Sequence, residues 1–122
     1  MARVLVIDDD MQLRKLLCKI LKKNQDYDVH DAANAEEGLE MIRKFHFDLV
    51  VTDIFMPGEN GLGTIMEICD YHSRTKIIAM SGGGNVEDVD FLQLARCLGA
   101  QKVFQKPIDT DVFLSTVQDM LH

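Results

Sequence analysis

Apolar positions along this chain follow two alternating periods. Residues 4–7 (Val4, Leu5, Val6, Ile7) form an unbroken apolar run, and so do residues 49–51 (Leu49, Val50, Val51). Unbroken runs of this kind suit strands covered on both faces, as in a parallel sheet. The spacing predicts strands over residues 3–8 and 47–53, a weaker one nearer an edge over 27–32, and others over 76–80 and 102–105. Between them the period lengthens. Leu13, Leu16, Leu17, Ile20 and Leu21 recur at helical spacing, as do Ala35, Gly38, Leu39 and Ile42. Leu62, Ile65, Met66 and Cys69 line a third helix, Val89, Leu92 and Ala95 a fourth, and Val112, Phe113, Val117, Met120 and Leu121 a last one.

Start signals agree with these periods. Asp10 and Asp109 stand where an N-cap accepts from orphan backbone N–H groups. Asn34 with Glu37 reads as a capping box, Glu37 reaching back to the cap residue. Residues 56–61 (Met-Pro-Gly-Glu-Asn-Gly) and 82–85 (Gly-Gly-Gly-Asn) are loops by composition. About five strand–helix units in succession predict an α/β fold: a flavodoxin-like, doubly wound (βα)5 three-layer sandwich on a five-stranded parallel sheet, in order 2-1-3-4-5.

Length allows one domain, residues 1–122, with no repeat or linker inside it. A chain this size buries roughly two thirds of its unfolded surface, so it needs no disulfide to fold. The formal net charge of -7 speaks against direct nucleic-acid binding, which wants a basic face. No apolar run approaches the ~18 residues of a membrane span and no signal peptide is evident, so a cytoplasmic location is expected. Cys18, Cys69 and Cys97 are odd in number and widely spaced, as expected of reduced packing residues. Arg14, Lys15, Lys19, Lys22 and Lys23 make the outer face of the first helix basic, either as a solvated face or as a place for a partner to dock. His30, His46, His72 and His122 are scattered and carry no ligand pattern.

The chemistry lies where strands end. Asp8-Asp9-Asp10 follows one apolar run and Asp53 closes another; Ser81 and Lys106 stand at two further predicted ends. In an open parallel sheet those ends share one crevice, where ligands bind. Carboxylates gathered there repel one another and invite a hard cation such as Mg²⁺, which takes one or two carboxylates with water and phosphate oxygens. A strand-end aspartate can also act as nucleophile and form an aspartyl-phosphate. One lysine and one hydroxyl would add the charge neutralisation that phosphoryl transfer depends on. Singly, each of these residues reads as a helix cap, loop chemistry or a solvated charge; their conjunction is what points to a site.

Val6-Ile7-Asp8-Asp9-Asp10, the segment from Asp53 through Pro57 to Gly61, Ala79-Met80-Ser81-Gly82, and Gly99-Ala100 through Lys106-Pro107 together resemble the receiver domain of bacterial two-component response regulators. The resemblance covers essentially the whole chain. It implies that Asp53 is the phosphoacceptor, served by a sensor histidine kinase or a histidine phosphotransfer protein. It implies Mg²⁺ held by Asp8, Asp9, Asp53 and the Phe55 backbone carbonyl, with Asp8 acting through water. Ser81 would hydrogen-bond a phosphoryl oxygen and Lys106 would pair with the phosphoryl group, with a cis bond to Pro107. The domain would catalyse its own phosphorylation and dephosphorylation without being a classical enzyme. It would act on an output domain, a partner or a phosphorylation-dependent dimer.

The chain departs from that pattern three residues before Lys106, where the family's switch aromatic is replaced by Val103; Phe104 points to the opposite face. Phe55 and Gly83 occupy the positions that set acyl-phosphate lifetime in the family. Neither side chain orients a water, so slow self-dephosphorylation is expected. The rival reading is a small Mg²⁺-dependent phosphohydrolase of the haloacid dehalogenase type, suggested by the D-x-D in residues 8–10. A flavin carrier is disfavoured by the acidic pocket, and a P-loop by the missing G-K-[ST].

Overall fold

The computed structural model describes residues 1–54, 61–71, 74–82, 93, 95, 96 and 98–122. Five strands form one parallel sheet: β1 (Ala2–Ile7), β2 (Tyr27–Ala32), β3 (Leu49–Asp53), β4 (Lys76–Gly82) and β5 (Lys102–Lys106). Their order is β2-β1-β3-β4-β5, as the sequence predicts, with the weak strand β2 at an edge. Four helices lie among the described residues: α1 (Met11–Lys22), α2 (Ala35–Lys44), α3 (Gly61–Tyr71) and α4 (Thr110–Leu121). Of the helix expected around Val89, Leu92 and Ala95, the first two positions lie outside the described residues. Gln93, Ala95, Arg96 and Leu98 are helical.

The strand period of two divides the core into two layers. Leu5, Ile7, Val50, Ile77 and Ala79 face one side, where they meet Ala35 and Ile42 of α2 and Ile65 and Ile68 of α3. Val4, Val6, Leu49, Val51, Ile78 and Met80 face the other, against Leu17 and Leu21 of α1 and Phe113 and Val117 of α4. Each of these leucine, isoleucine or valine side chains, fully withdrawn from water, contributes roughly 1.5–3 kcal/mol. With both faces covered, β1 and β3 have no polar alternation, which is why they read as continuous apolar runs.

Helix faces are rotated slightly from their predicted positions. Leu16 of α1 is half exposed, and Cys18 takes the inner place beside Leu17 and Leu21. In α3 Met66 faces out while Ile68 is fully buried, and in α4 Val112 faces out. Each outward residue sits about 100° around the helix from an inner neighbour, beyond the stripe the sheet covers. Burial pushes the Cys18 thiol up to about 11, and the nearby Asp31 charge pushes it the same way. It is therefore an inert packing group, as expected; Cys97 lies outside the described residues.

Capping follows the sequence with one change. The Asp10 carboxylate accepts from Gln12 N–H and Leu13 N–H, and Asp109 accepts from Asp111 and Val112. Asn34 accepts from Glu37 N–H at 2.8 Å, but the Glu37 carboxylate reaches past the cap to Ala33 N–H at 3.0 Å.

Candidate functional site

β1, β3 and β5 all run the same way, so the residues that close them meet at one edge. Asp8 follows β1 directly and is fully buried. Its N–H donates to the Ala32 carbonyl of β2 at 3.2 Å, which extends the β1–β2 ladder by one residue. Its Oδ1 accepts from Asp10 N–H at 2.8 Å, so the β1–α1 turn closes on its own carboxylate. Asp53 is the last residue of β3 and is 2% exposed. Ile54 N–H donates to the Met80 carbonyl at 2.9 Å, holding that strand end against β4. Asp9 lies beside them and is exposed.

Lys106, the last residue of β5, reaches across β4 into this group. Its Nζ donates to Asp53 Oδ2 at 2.8 Å and stands 3.0 Å from Asp8 Oδ2. Burial alone would lower the Lys106 ammonium; the hydrogen bond to Asp53 and the charges of Asp53 and Asp8 reverse this and raise it above its ordinary value. The Asp8 carboxyl is raised above the usual carboxylate range, first by burial. The Asp10 N–H and Lys106 hold it down, while the Asp53 charge pushes it further up. The Lys106–Pro107 peptide bond is cis.

The carboxylate oxygens of Asp8, Asp9 and Asp53 converge within 4.8 Å of one another. Asp8 Oδ2 is buried and has no aligned hydrogen-bond donor, despite the nearby ammonium. A buried carboxylate oxygen left in that state costs free energy. An all-oxygen set with one unsatisfied buried member suits Mg²⁺, so these residues fit the cation that the sequence suggests. Phe55, the remaining expected ligand, lies outside the described residues.

Ser81 is fully buried within β4, one residue short of its end. Its hydroxyl donates along its own strand to the Gly82 carbonyl at 3.4 Å. The β4–β5 register pairs Gly82 with Lys106, which puts Ser81 and the lysine on neighbouring strand ends. Val103 and Phe104 face opposite layers: Val103 packs against the α2–α3 side, and Phe104 lies edge-on to Phe113 of α4 at 5.8 Å.

Arg14 departs from its expected place on the solvated face of α1. Its side chain is 12% exposed and folds back over the first turn. Nη1 donates to the Asp8 main-chain carbonyl at 2.8 Å, and Nε to Asp31 Oδ2 at 2.7 Å. The available signal was its position four residues after the cap, since helical side chains lie back over the preceding turn. Lys15, Lys19, Lys22 and Lys23 are exposed, as expected. The described histidines pair elsewhere: His30 with Asp28, His46 with Asp48 and His122 with Tyr27.

Residues 4–118 match the family described as the response regulator receiver domain. The chain belongs to that family. It is a receiver domain of two-component signalling, not a classical enzyme, and the phosphohydrolase reading falls away. It is 29% identical over 119 residues to sporulation initiation phosphotransferase F of Bacillus subtilis, covering 98% of this chain and 93% of that one. It is 31% identical over 119 residues to the regulatory protein AtoC of Escherichia coli, covering 98% of this chain but 25% of that protein. Its fold superposes on the beryllofluoride-activated NtrC4 receiver domain dimer with a TM-score of 0.87 at 29% identity, over 98% of this chain and 96% of that one. No helix among the described residues of this receiver domain is long and apolar enough to cross a membrane.

Proposed function

We propose that residues 1–122 act as one receiver unit that takes a phosphoryl group onto Asp53 in a Mg²⁺-dependent reaction. The donor is a phosphohistidine on a sensor kinase or phosphotransfer protein. The observation that carries this reading is the convergence of the Asp8, Asp9 and Asp53 carboxylates within 4.8 Å, with Lys106 Nζ 2.8 Å from Asp53 Oδ2. A carboxylate oxygen of Asp53 attacks phosphorus, the P–N bond to the donor imidazole breaks, and its electron pair leaves with the ring. The product is a mixed anhydride on Asp53.

Asp8, Asp9, Asp53 and the Phe55 carbonyl would hold the cation, Asp8 through water. Mg²⁺ supplies charge neutralisation for the phosphoryl oxygens and helps align them. Lys106 orients the nucleophile beforehand and pairs with the phosphoryl group afterwards. Ser81 turns its hydroxyl from the Gly82 carbonyl to a phosphoryl oxygen. The exposed lysines of α1, beside the pocket, offer an acidic donor a complementary surface.

Ser81 and Lys106 lie at the ends of two adjacent strands, so recruiting both redraws the β4–β5 edge and the helices packed on it. That surface controls an output domain, a partner or a second copy. Val103 stands where the family carries its switch aromatic, so the change is carried through Ser81 and not through an aromatic flip at that position. Incubation with acetyl phosphate and Mg²⁺, followed by intact mass, tests the reading. One added phosphoryl group is expected in the wild type and none in Asp53→Asn; transfer to Asp53→Asn contradicts it.

A further inference from the structure

Three tethers hold the peptide units and carboxylate of Asp8, and one of them comes from a residue that the proposed chemistry does not use. The Asp8 N–H is fixed by the Ala32 carbonyl, and Oδ1 by Asp10 N–H. The Asp8 carbonyl is fixed by Arg14 Nη1 at 2.8 Å, while the same guanidinium donates through Nε to Asp31 Oδ2 at 2.7 Å. Arg14 is itself anchored by its own N–H to the Asp10 carbonyl at 2.9 Å. Its guanidinium therefore bridges the first turn of α1, the end of β1 and the end of β2. It spans the segment that presents both Asp8 and Asp9.

We propose that Arg14 is a positioning residue for the cation site, fixing the β1–α1 turn through the Asp8 carbonyl and Asp31 so that the Asp8 and Asp9 carboxylates stay converged. This rests on the reading of those residues as Mg²⁺ ligands. An ion pair whose carboxylate is half-exposed, as Asp31 is here, contributes little stability by itself, so its use is geometric. The planar fork of arginine serves two acceptors at once, in fixed directions; a lysine ammonium in its place reaches one. Partners beyond the direct ligands commonly change metal affinity by roughly 10–100-fold when removed.

The charge of Arg14 acts in the opposite direction. A guanidinium this close to a cation site repels the cation, so its removal should tighten Mg²⁺ binding if charge were all it supplied. The two roles thus differ in sign. Mg²⁺ affinity is measured by calorimetry on the intact domain for wild type, Arg14→Met, Arg14→Lys, Asp31→Ala and Lys44→Met. Urea midpoints in EDTA check the fold of each.

Arg14→Met should weaken Mg²⁺ binding roughly tenfold or more. Arg14→Lys should lose most of the same affinity although it keeps the charge, and Asp31→Ala should lose a smaller part. Lys44→Met, exposed at the far end of α2, should match the wild type. At saturating Mg²⁺ the acetyl phosphate reaction of Arg14→Met should return to within a few-fold of the wild-type rate. Equal or tighter Mg²⁺ binding by Arg14→Met, or full affinity in Arg14→Lys, overturns the proposal. If Arg14→Met does not fold, unchanged affinity in Asp31→Ala overturns it. A wild type that binds Mg²⁺ but accepts no phosphoryl group overturns the functional reading and leaves the clamp standing. A wild type that binds no Mg²⁺ overturns both.

Discussion

Replacing Lys106 by methionine removes the ammonium lodged between two buried carboxylates and keeps most of the side-chain stem. Nζ lies 2.8 Å from Asp53 Oδ2 and 3.0 Å from Asp8 Oδ2. At an effective dielectric of about 20, those separations correspond to attractions of about 6 and about 5.5 kcal/mol. Desolvation of the three charges offsets much of that, and removing one partner of such a group costs roughly 3–5 kcal/mol net. The lysine side chain keeps 21% of its exposure, which favours the low end, about 3 kcal/mol. With a urea m-value of about 1.5 kcal/mol/M, the midpoint at pH 8 in EDTA should fall by about 2 M. Far-UV circular dichroism is the natural probe, since the chain has no tryptophan.

Acid should shrink this deficit. The Asp8 carboxyl already titrates above its unfolded value, chiefly because it is buried, and losing Lys106 raises it further. Below the unfolded value near pH ~4 Asp8 is neutral in both states and imposes no ionisation penalty. The penalty builds as pH rises through the folded value. The variant should therefore approach the wild type at pH 5 and fall furthest behind at pH 8. Mg²⁺ at a concentration a hundredfold above the variant's dissociation constant should stabilise the variant by about 2.7 kcal/mol, and the wild type by less, because Lys106 competes for the same carboxylates. A deficit that is the same at pH 5 and pH 8 and indifferent to Mg²⁺ would mean that Lys106 acts by packing its stem, and the charge argument would fail.

Mg²⁺ affinity of the wild type should weaken as the pH falls and Asp8, raised by burial, takes up its proton ahead of an ordinary carboxylate; a profile that stays flat down to the ordinary carboxylate range would remove Asp8 from the ligand set. Gly61→Ala should cost about 3 kcal/mol or more in urea unfolding, because its Cβ would meet the Ile54 backbone with the carbonyl oxygen at 2.5 Å. Gly38→Ala meets the buried Ile7 side chain at Cδ1, and not backbone, and gains up to about 1 kcal/mol of helix propensity, so its midpoint should fall by less than that of Gly61→Ala. The aspartyl-phosphate should persist for minutes or longer without a phosphatase, given Phe55 and Gly83 at the two lifetime positions; a half-life of seconds contradicts this.

Strands β1 and β3 were legible from sequence because both their faces are covered, so their apolar runs have no competing pattern. The residues that close them were legible for the same reason: a carboxylate ending a buried strand can only point into the crevice or cap the next helix. What the Lys106 ammonium touches was not legible. Its reach to both Asp8 and Asp53 depends on strand order and sheet twist, which bring β5 across β4 to the end of β1. Helix faces were legible only to within one position. Leu16, Met66 and Val112 satisfy a helical period yet face outward, because the sheet sets where the stripe is centred. Arg14 was misplaced for a related reason. Counting charges along α1 assigns it to solvent, whereas its long side chain folds back over the first turn and finds the Asp8 carbonyl.

Asp53, and no other carboxylate of the cluster, should carry the phosphoryl group. Borohydride reduction after reaction with acetyl phosphate and Mg²⁺ converts an acyl-phosphorylated aspartate to homoserine, and peptide mass mapping locates it. Homoserine at position 53 alone is the predicted result; homoserine at position 8 or 9, or at none of the three, would contradict the account.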